Sequence, residues 1–148
     1  MFIDARKLPQ DSRLTADLAI IGAGPAGITL ARSMIGHRAR VCLIEAGGTA
    51  ADGPTQALYE GENAGIEYPL LGSRLRYFGG SSNHWGGWCK PLDPIDFTRR
   101  PSAPLPSWPI GEDDLAGYYP AAARWCELGS DDFAATRNVP APDRELLP

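Results

Sequence analysis

Asp17-Leu-Ala-Ile-Ile21 is a short apolar run, rich in β-branched residues and stopped by glycine, which predicts a strand buried on both faces of a parallel sheet. A tight turn follows at Gly22. Ile28, Leu30, Ala31, Met34 and Ile35 then recur at helical spacing, with Pro25 suited to a first helical turn and Gly36 placed to stop the helix near Met34 or Ile35. Arg40-Val-Cys-Leu-Ile-Glu45 predicts a second buried strand, closed by Ala46-Gly47-Gly48. Residues 17–45 thus form one β-α-β unit of the usual length of about 30 residues. No other feature of the chain restricts its fold as strongly.

The turn inside this unit is Gly22-Ala-Gly24-Pro25-Ala26-Gly27, a GxGxxG pattern that directly follows a strand and opens a helix. Gly22 permits the tight turn, Gly24 lets a pyrophosphate approach without a Cβ in the way, and Gly27 lets helix and strand pack closely. The free amides at the helix start, around Pro25 and Ala26, face negative charge favourably. Glu45 stands at the end of the second strand, roughly 20 residues beyond Gly27, where an acid accepts hydrogen bonds from a ribose diol and repels the 2′-phosphate of NADP. Ala46 follows it. The pattern predicts dinucleotide binding over a glycine-rich turn of purely structural use, and leaves FAD and NAD undivided.

Elsewhere the chain is less regular. Its 17 glycines and 14 prolines among 148 residues demand many turns and extended loops, which need something to order them. Thr49 to Pro69 is polar and glycine-broken, with a helical turn expected around Thr55 to Tyr59. Arg74 to Lys90 (RLRYFGGSSNHWGGWCK) scores as neither helix nor strand. Pro91 to Pro109 predicts an extended connection. Glu112 to Glu127 carries a helical pattern through Leu115, Tyr118, Tyr119, Ala122 and Trp125, bent or shortened by Pro120. Residues 129–148 are acidic and proline-punctuated, with no further strand expected.

Composition removes several function classes. The formal charge of -4 leaves no surplus of cations for a nucleic-acid backbone, and 43% hydrophobic with 22% charged residues fits a soluble globular chain. Cys42, Cys89 and Cys126 lack CxxC spacing, which argues against a zinc site or a disulfide scaffold and for a reducing compartment; Cys42 and Cys89 are expected as small buried apolar groups. The polar start has no apolar h-region, so no secretory signal is read and a cytoplasmic location is expected. Leu18 to Ile35 approaches membrane length but is broken by glycines, Pro25 and Arg32, so no membrane span is expected. His37 is expected in a solvated turn, no metal site is expected from two histidines, and the four tryptophans are expected to serve packing first.

DLAIIGAGPAGITLARSM with VCLIEAGG resembles the FAD-binding N-terminus of the glucose–methanol–choline oxidoreductases, and RYFGGSSNHWGGWCKPLDPIDF resembles that family's second flavin-contacting segment. SWPIGEDDLAGYYPAA is similar to the next stretch of its bacterial dehydrogenase branch, so the likeness spans most of residues 17–123. It implies an α/β chain carrying a partial Rossmann-like FAD-binding domain: a polar segment at 1–16, the domain at 17–128, and a loop-rich tail at 129–148 that ends before a substrate domain. Arg76, Gly79, Gly80, Ser81, Ser82 and Asn83 become cofactor contacts by implication. The order Gly-Gly-x-Ser-x-His-Trp also resembles the pyranose oxidases, whose histidine is bonded to the flavin 8α-methyl group. His84 therefore has three readings: a covalent link to FAD, a hydrogen bond to it, or a role in ordering its own loop. Trp85 adjoins it and could touch the flavin.

The resemblance implies oxidation of a CH–OH group of a small alcohol or sugar by hydride transfer to flavin, with oxygen, a quinone or an electron-accepting subunit completing the cycle. Family members are longer and carry their alcohol base near the C-terminus. No residue here matches that base, so no catalytic residue is nominated, and the 148 residues alone are expected to be inactive. Two alternatives stand beside this expectation: a fragment of an NAD-linked dehydrogenase, and an inactive nucleotide-binding remnant.

Overall fold

A computed structural model of the chain describes residues 1–84, 86–87, 89–98 and 107–128. It divides into two compact units, residues 1–86 and 87–148. In the first unit β1 (Leu18–Ile21) and β2 (Val41–Ile44) pair in parallel, with Leu18 opposite Val41 and Ile21 opposite Ile44. Helix α1 (Pro25–Ser33) makes the crossover between them. The protein is thus mixed α/β with a small two-stranded parallel sheet.

Sequence and structure agree on why α1 starts and stops where it does. Pro25 occupies its first turn, where a missing amide hydrogen costs nothing, and Gly36 takes φ +87° just beyond its end. Gly27, Ile28, Ala31 and Met34 face inward at helical spacing, whereas Leu30 and Ile35 point outward. The strands differ from expectation in one respect. Ile20 is buried, but Ile21 is 87% exposed and Ile44 is exposed beside it, so the sheet is not covered on both faces. Ala19 and Ile21 of β1 and Ile44 of β2 are the strand residues left exposed among those described.

At the end of the sheet away from the glycine turn, Asp17 and Arg40 clamp the ladder. The Asp17 amide donates to the Arg40 carbonyl at 2.9 Å, and the Asp17 carboxylate accepts from the Arg40 amide at 2.8 Å. These bonds to Arg40, backbone first and guanidinium second, hold the Asp17 carboxyl below the usual aspartate value. The turn expected around 55–59 is a short helix, α2 (Gly53–Ala57), whose N-cap Asp52 accepts from the Thr55 amide at 2.9 Å. The loop from Arg74 contains a 3₁₀ turn at Gly80–His84, local order that the pattern of glycines does not betray.

In the second unit a 3₁₀ turn spans Pro94–Phe97 inside the expected extended connection. The single helix expected over 112–127 is two: α3 (Glu112–Ala116) and α4 (Tyr119–Trp125). Pro120 has no amide hydrogen for the Ala116 carbonyl, and its ring crowds that carbonyl, so the helix cannot run through. The Leu92 amide donates to Tyr119 Oη at 3.2 Å, tying the preceding segment to α4. Cys89 is half-buried rather than buried, and desolvation, followed by its hydrogen bond with Cys126, pushes its thiol up from the usual value. Cys42 is half-buried too. Trp108 is 61% exposed and Trp125 is also exposed, contrary to the packing role expected of them. Trp85, Trp88 and the tail at 129–148 lie outside the described residues. Among those described, no helix is long and apolar enough to cross a membrane.

Candidate functional site

The glycine turn between β1 and α1 is the point where three segments of the first unit meet. The Gly22 amide extends the ladder by donating to the Ile44 carbonyl at 2.7 Å, and its φ of +95° then reverses the chain, a conformation that glycine adopts without strain. Gly27 serves close packing: a Cβ there would collide with the Gly22 carbonyl oxygen and approach Ile20 Cγ2 at 3.4 Å. Both readings of these glycines from sequence hold as geometry.

Gly24 is different. Nothing lies within 4 Å of the place its Cβ would occupy, so the space beside it is open. As N-cap of α1 it has no side chain to satisfy the amides of the first turn, and those of Ala26 and Gly27 have no acceptor within the helix. Open space, unpaired amides and the positive end of the helix dipole together suit a diphosphate.

Glu45 reaches back across the sheet end to the turn. One carboxylate oxygen accepts from the Ala23 amide at 2.8 Å and the other from the Gly47 amide at 3.0 Å. Each oxygen keeps one lone-pair direction, so the carboxylate can still accept from a ribose diol while it fixes the backbone on either side. Ala46, exposed, is carried between these anchors. The clamp on Ala23 was not legible in sequence, because no local pattern reports a contact made across 22 residues.

The second segment closes on the same turn. The Gly79 amide donates to the Ala23 carbonyl at 2.8 Å, the Phe78 amide donates to the Gly48 carbonyl at 2.9 Å, and Gly80 lies against Gly24. Ala23, wholly buried, is held through its amide by Glu45 and through its carbonyl by Gly79. The structure therefore brings Gly22, Gly24, Gly27, Glu45, Gly79 and Gly80 together.

The polar side chains of that segment bind their own loop. Ser81 Oγ accepts from the Leu75 amide at 3.1 Å, Ser82 Oγ donates to the Gly79 carbonyl at 2.6 Å, and Asn83 Nδ2 donates to the carbonyls of Phe78 and Gly80. The loop thus has internal hydrogen bonds to offset its ordering entropy and does not depend wholly on an external partner, as its glycine content suggests. His84 Nε2 is hydrogen-bonded to Tyr77 Oη at 2.9 Å, with the two rings edge to face. That leaves Nδ1 as the ring nitrogen without this bond. Tyr77 was missed from sequence, since nothing in the order of residues 77–84 marks a 3₁₀ turn that would return the histidine to it. His37 is exposed, as expected of a solvated turn.

Arg76 sits at the edge of this arrangement, its carbonyl packed against Gly47 and its guanidinium over Tyr59. Comparison of the chain with protein-family models, curated proteins and solved structures returns no match.

Proposed function

We propose that this chain is the FAD-binding portion of an oxidoreductase of the glucose–methanol–choline type, built as a partial Rossmann-like domain. The observation that carries the proposal is the open face at Gly24, lined by the unpaired amides of the first turn of α1 and flanked by Glu45 and the Gly79–Gly80 segment. The order of the two segments along the chain, and the residues of each that carry the family likeness, choose FAD over NAD.

In this reading Gly22, Gly24, Pro25, Ala26 and Gly27 hold the pyrophosphate. Glu45 accepts from the adenosine ribose with the lone pairs its backbone clamp leaves over. Gly79 and Gly80 bring backbone near the cofactor, whereas Ser81, Ser82 and Asn83 act by shaping the loop that presents it. His84, steadied by Tyr77, is the side chain of this loop that turns toward the flavin. FAD supplies the two-electron redox chemistry when bound, accepting hydride from the CH–OH carbon of an alcohol or sugar. The protein's part here is binding and orientation; the described residues include no nominee for the base that takes the hydroxyl proton.

The test is reconstitution of the full chain with FAD, followed by flavin fluorescence and absorbance, with NAD as competitor. Quenched flavin fluorescence that saturates in wild type and is lost in Gly24→Val supports the proposal. Equal flavin binding in both proteins, or displacement of FAD by NAD at comparable concentration, overturns it.

A further inference from the structure

Outside the glycine turn, the loop preceding Tyr77 presents two guanidiniums that have no carboxylate partner among the described residues. Arg74 Cζ lies 4.3 Å from the centroid of the Tyr59 ring and Arg76 Cζ lies 5.1 Å from it, both within cation–π distance. Ion pairs among the described residues include Arg6 with Asp4, Arg40 with Asp17 and Lys90 with Asp93, and neither Arg74 nor Arg76 takes part in these. Arg76 Nε and Ser73 Oγ are buried polar atoms without a hydrogen-bond partner, two such groups within four residues. A buried donor left unsatisfied costs more than a bond returns, so such groups call for an explanation, a bound ion among them.

The backbone that carries these groups is fixed. Gln56 on α2 donates through Nε2 to the carbonyls of Leu71 at 2.7 Å and Arg74 at 2.6 Å, and its Oε1 accepts from the Arg76 amide at 3.1 Å. Gly47 lets the Arg76 carbonyl approach so closely that any Cβ there would collide with it. Two guanidiniums on a fixed backbone, without a carboxylate partner among the described residues, suit an anion with several oxygens. Guanidinium forks suit phosphate better than a halide, because they can donate two parallel bonds to it.

We propose that Arg74 and Arg76, both over the Tyr59 ring, form a phosphate-binding site separate from the open face at Gly24. The phosphate is either free inorganic phosphate or a phosphomonoester on a nucleotide. The site shares Arg76 with the expected cofactor contacts but does not require that the chain bind FAD.

Phenylglyoxal modification of the wild-type full chain, followed by peptide mapping, tests it without any substitution. Inorganic phosphate should slow modification of Arg74 and Arg76 and leave the exposed Arg38 unaffected. In equilibrium dialysis with radiolabelled phosphate, R74Q and R76Q should each weaken binding at least about tenfold, and R74K should recover only part of the loss. Protection at lower concentration by NADP than by NAD or inorganic phosphate identifies a nucleotide phosphomonoester as the source, and protection by inorganic phosphate alone identifies the free ion. Phosphate binding kept in Gly24→Val, where flavin binding is lost, separates the two sites. Absence of protection at Arg74 and Arg76, or unchanged dialysis in R74Q and R76Q, overturns the proposal. Protection without any flavin binding by wild type would overturn the FAD reading and leave this site standing.

Discussion

Replacing Glu45 by alanine removes the acceptor of two backbone amides at once, and the structure says how unequal the two losses are. Ala23 is 0% exposed with Glu45 in place, so its amide relies on the carboxylate oxygen 2.8 Å away as its acceptor. A hydrogen bond to a charged group contributes about 1.5–3 kcal/mol, and a stranded buried amide forfeits most of this. The Gly47 amide, 3.0 Å from the other oxygen, belongs to a half-exposed residue and regains water, so its share is about 0.5–1 kcal/mol. Together the loss is about 2–4 kcal/mol, a large part of the roughly 5–15 kcal/mol that stabilises a typical domain. Urea denaturation of the full chain followed by circular dichroism should show a lower midpoint. Native-state amide exchange should accelerate at Ala23 by at least about tenfold, since each 1.4 kcal/mol is a factor of ten. Glu45→Gln, which keeps one acceptor oxygen, should fall between the two. An unchanged midpoint with unchanged exchange at Ala23 would refute the argument that this carboxylate holds the turn together.

The two glycines of the turn should separate folding from binding. Gly27→Ala drives a methyl group into the Gly22 carbonyl and should lower stability by roughly 1–3 kcal/mol in the same denaturation assay, whereas Gly24→Val, with open space and extended backbone, should melt like wild type while losing flavin. Acid should unfold the first unit partly through Asp17: its carboxyl is held below the ordinary value by bonds to Arg40, so its contribution is complete above about pH 4 and is lost as pH falls through the lower folded value. Asp17→Asn should therefore flatten the acid limb of the stability curve, and a limb of unchanged slope would count against the clamp. For His84, acid precipitation of flavin-loaded protein leaves a yellow pellet if the link is covalent and a yellow supernatant if it is not. Tyr77→Phe, which removes the 2.9 Å bond to His84 Nε2, should broaden or shift the His84 imidazole resonances, and identical spectra would show that the tyrosine does not orient the ring.

Short-range chemistry was readable directly from the order of residues. The apolar runs at 18–21 and 41–44, the proline that opens α1 and the glycine beyond its end each act within a few positions, so the β-α-β unit and the roles of Gly22 and Gly27 need no tertiary information to be seen. Pro120 likewise announces a break, although only the structure shows two helices rather than one bent one. What the sequence could not contain is which distant groups satisfy which donors. Glu45 reads as a ribose acceptor from its position after β2, and only folding reveals that Ala23 and Gly47 already share it. Ser81, Ser82 and Asn83 are cofactor contacts by family resemblance, and only folding shows that their side chains also close hydrogen bonds inside their own loop, which offset the ordering entropy of so glycine-rich a segment. The exposed face of the sheet and the pairing of Arg74 and Arg76 on Tyr59 belong to the same class. Covering layers and cation–π contacts depend on where segments far apart in the chain come to rest, and that is decided by packing, which acts on the assembled surface and leaves no mark on local spacing.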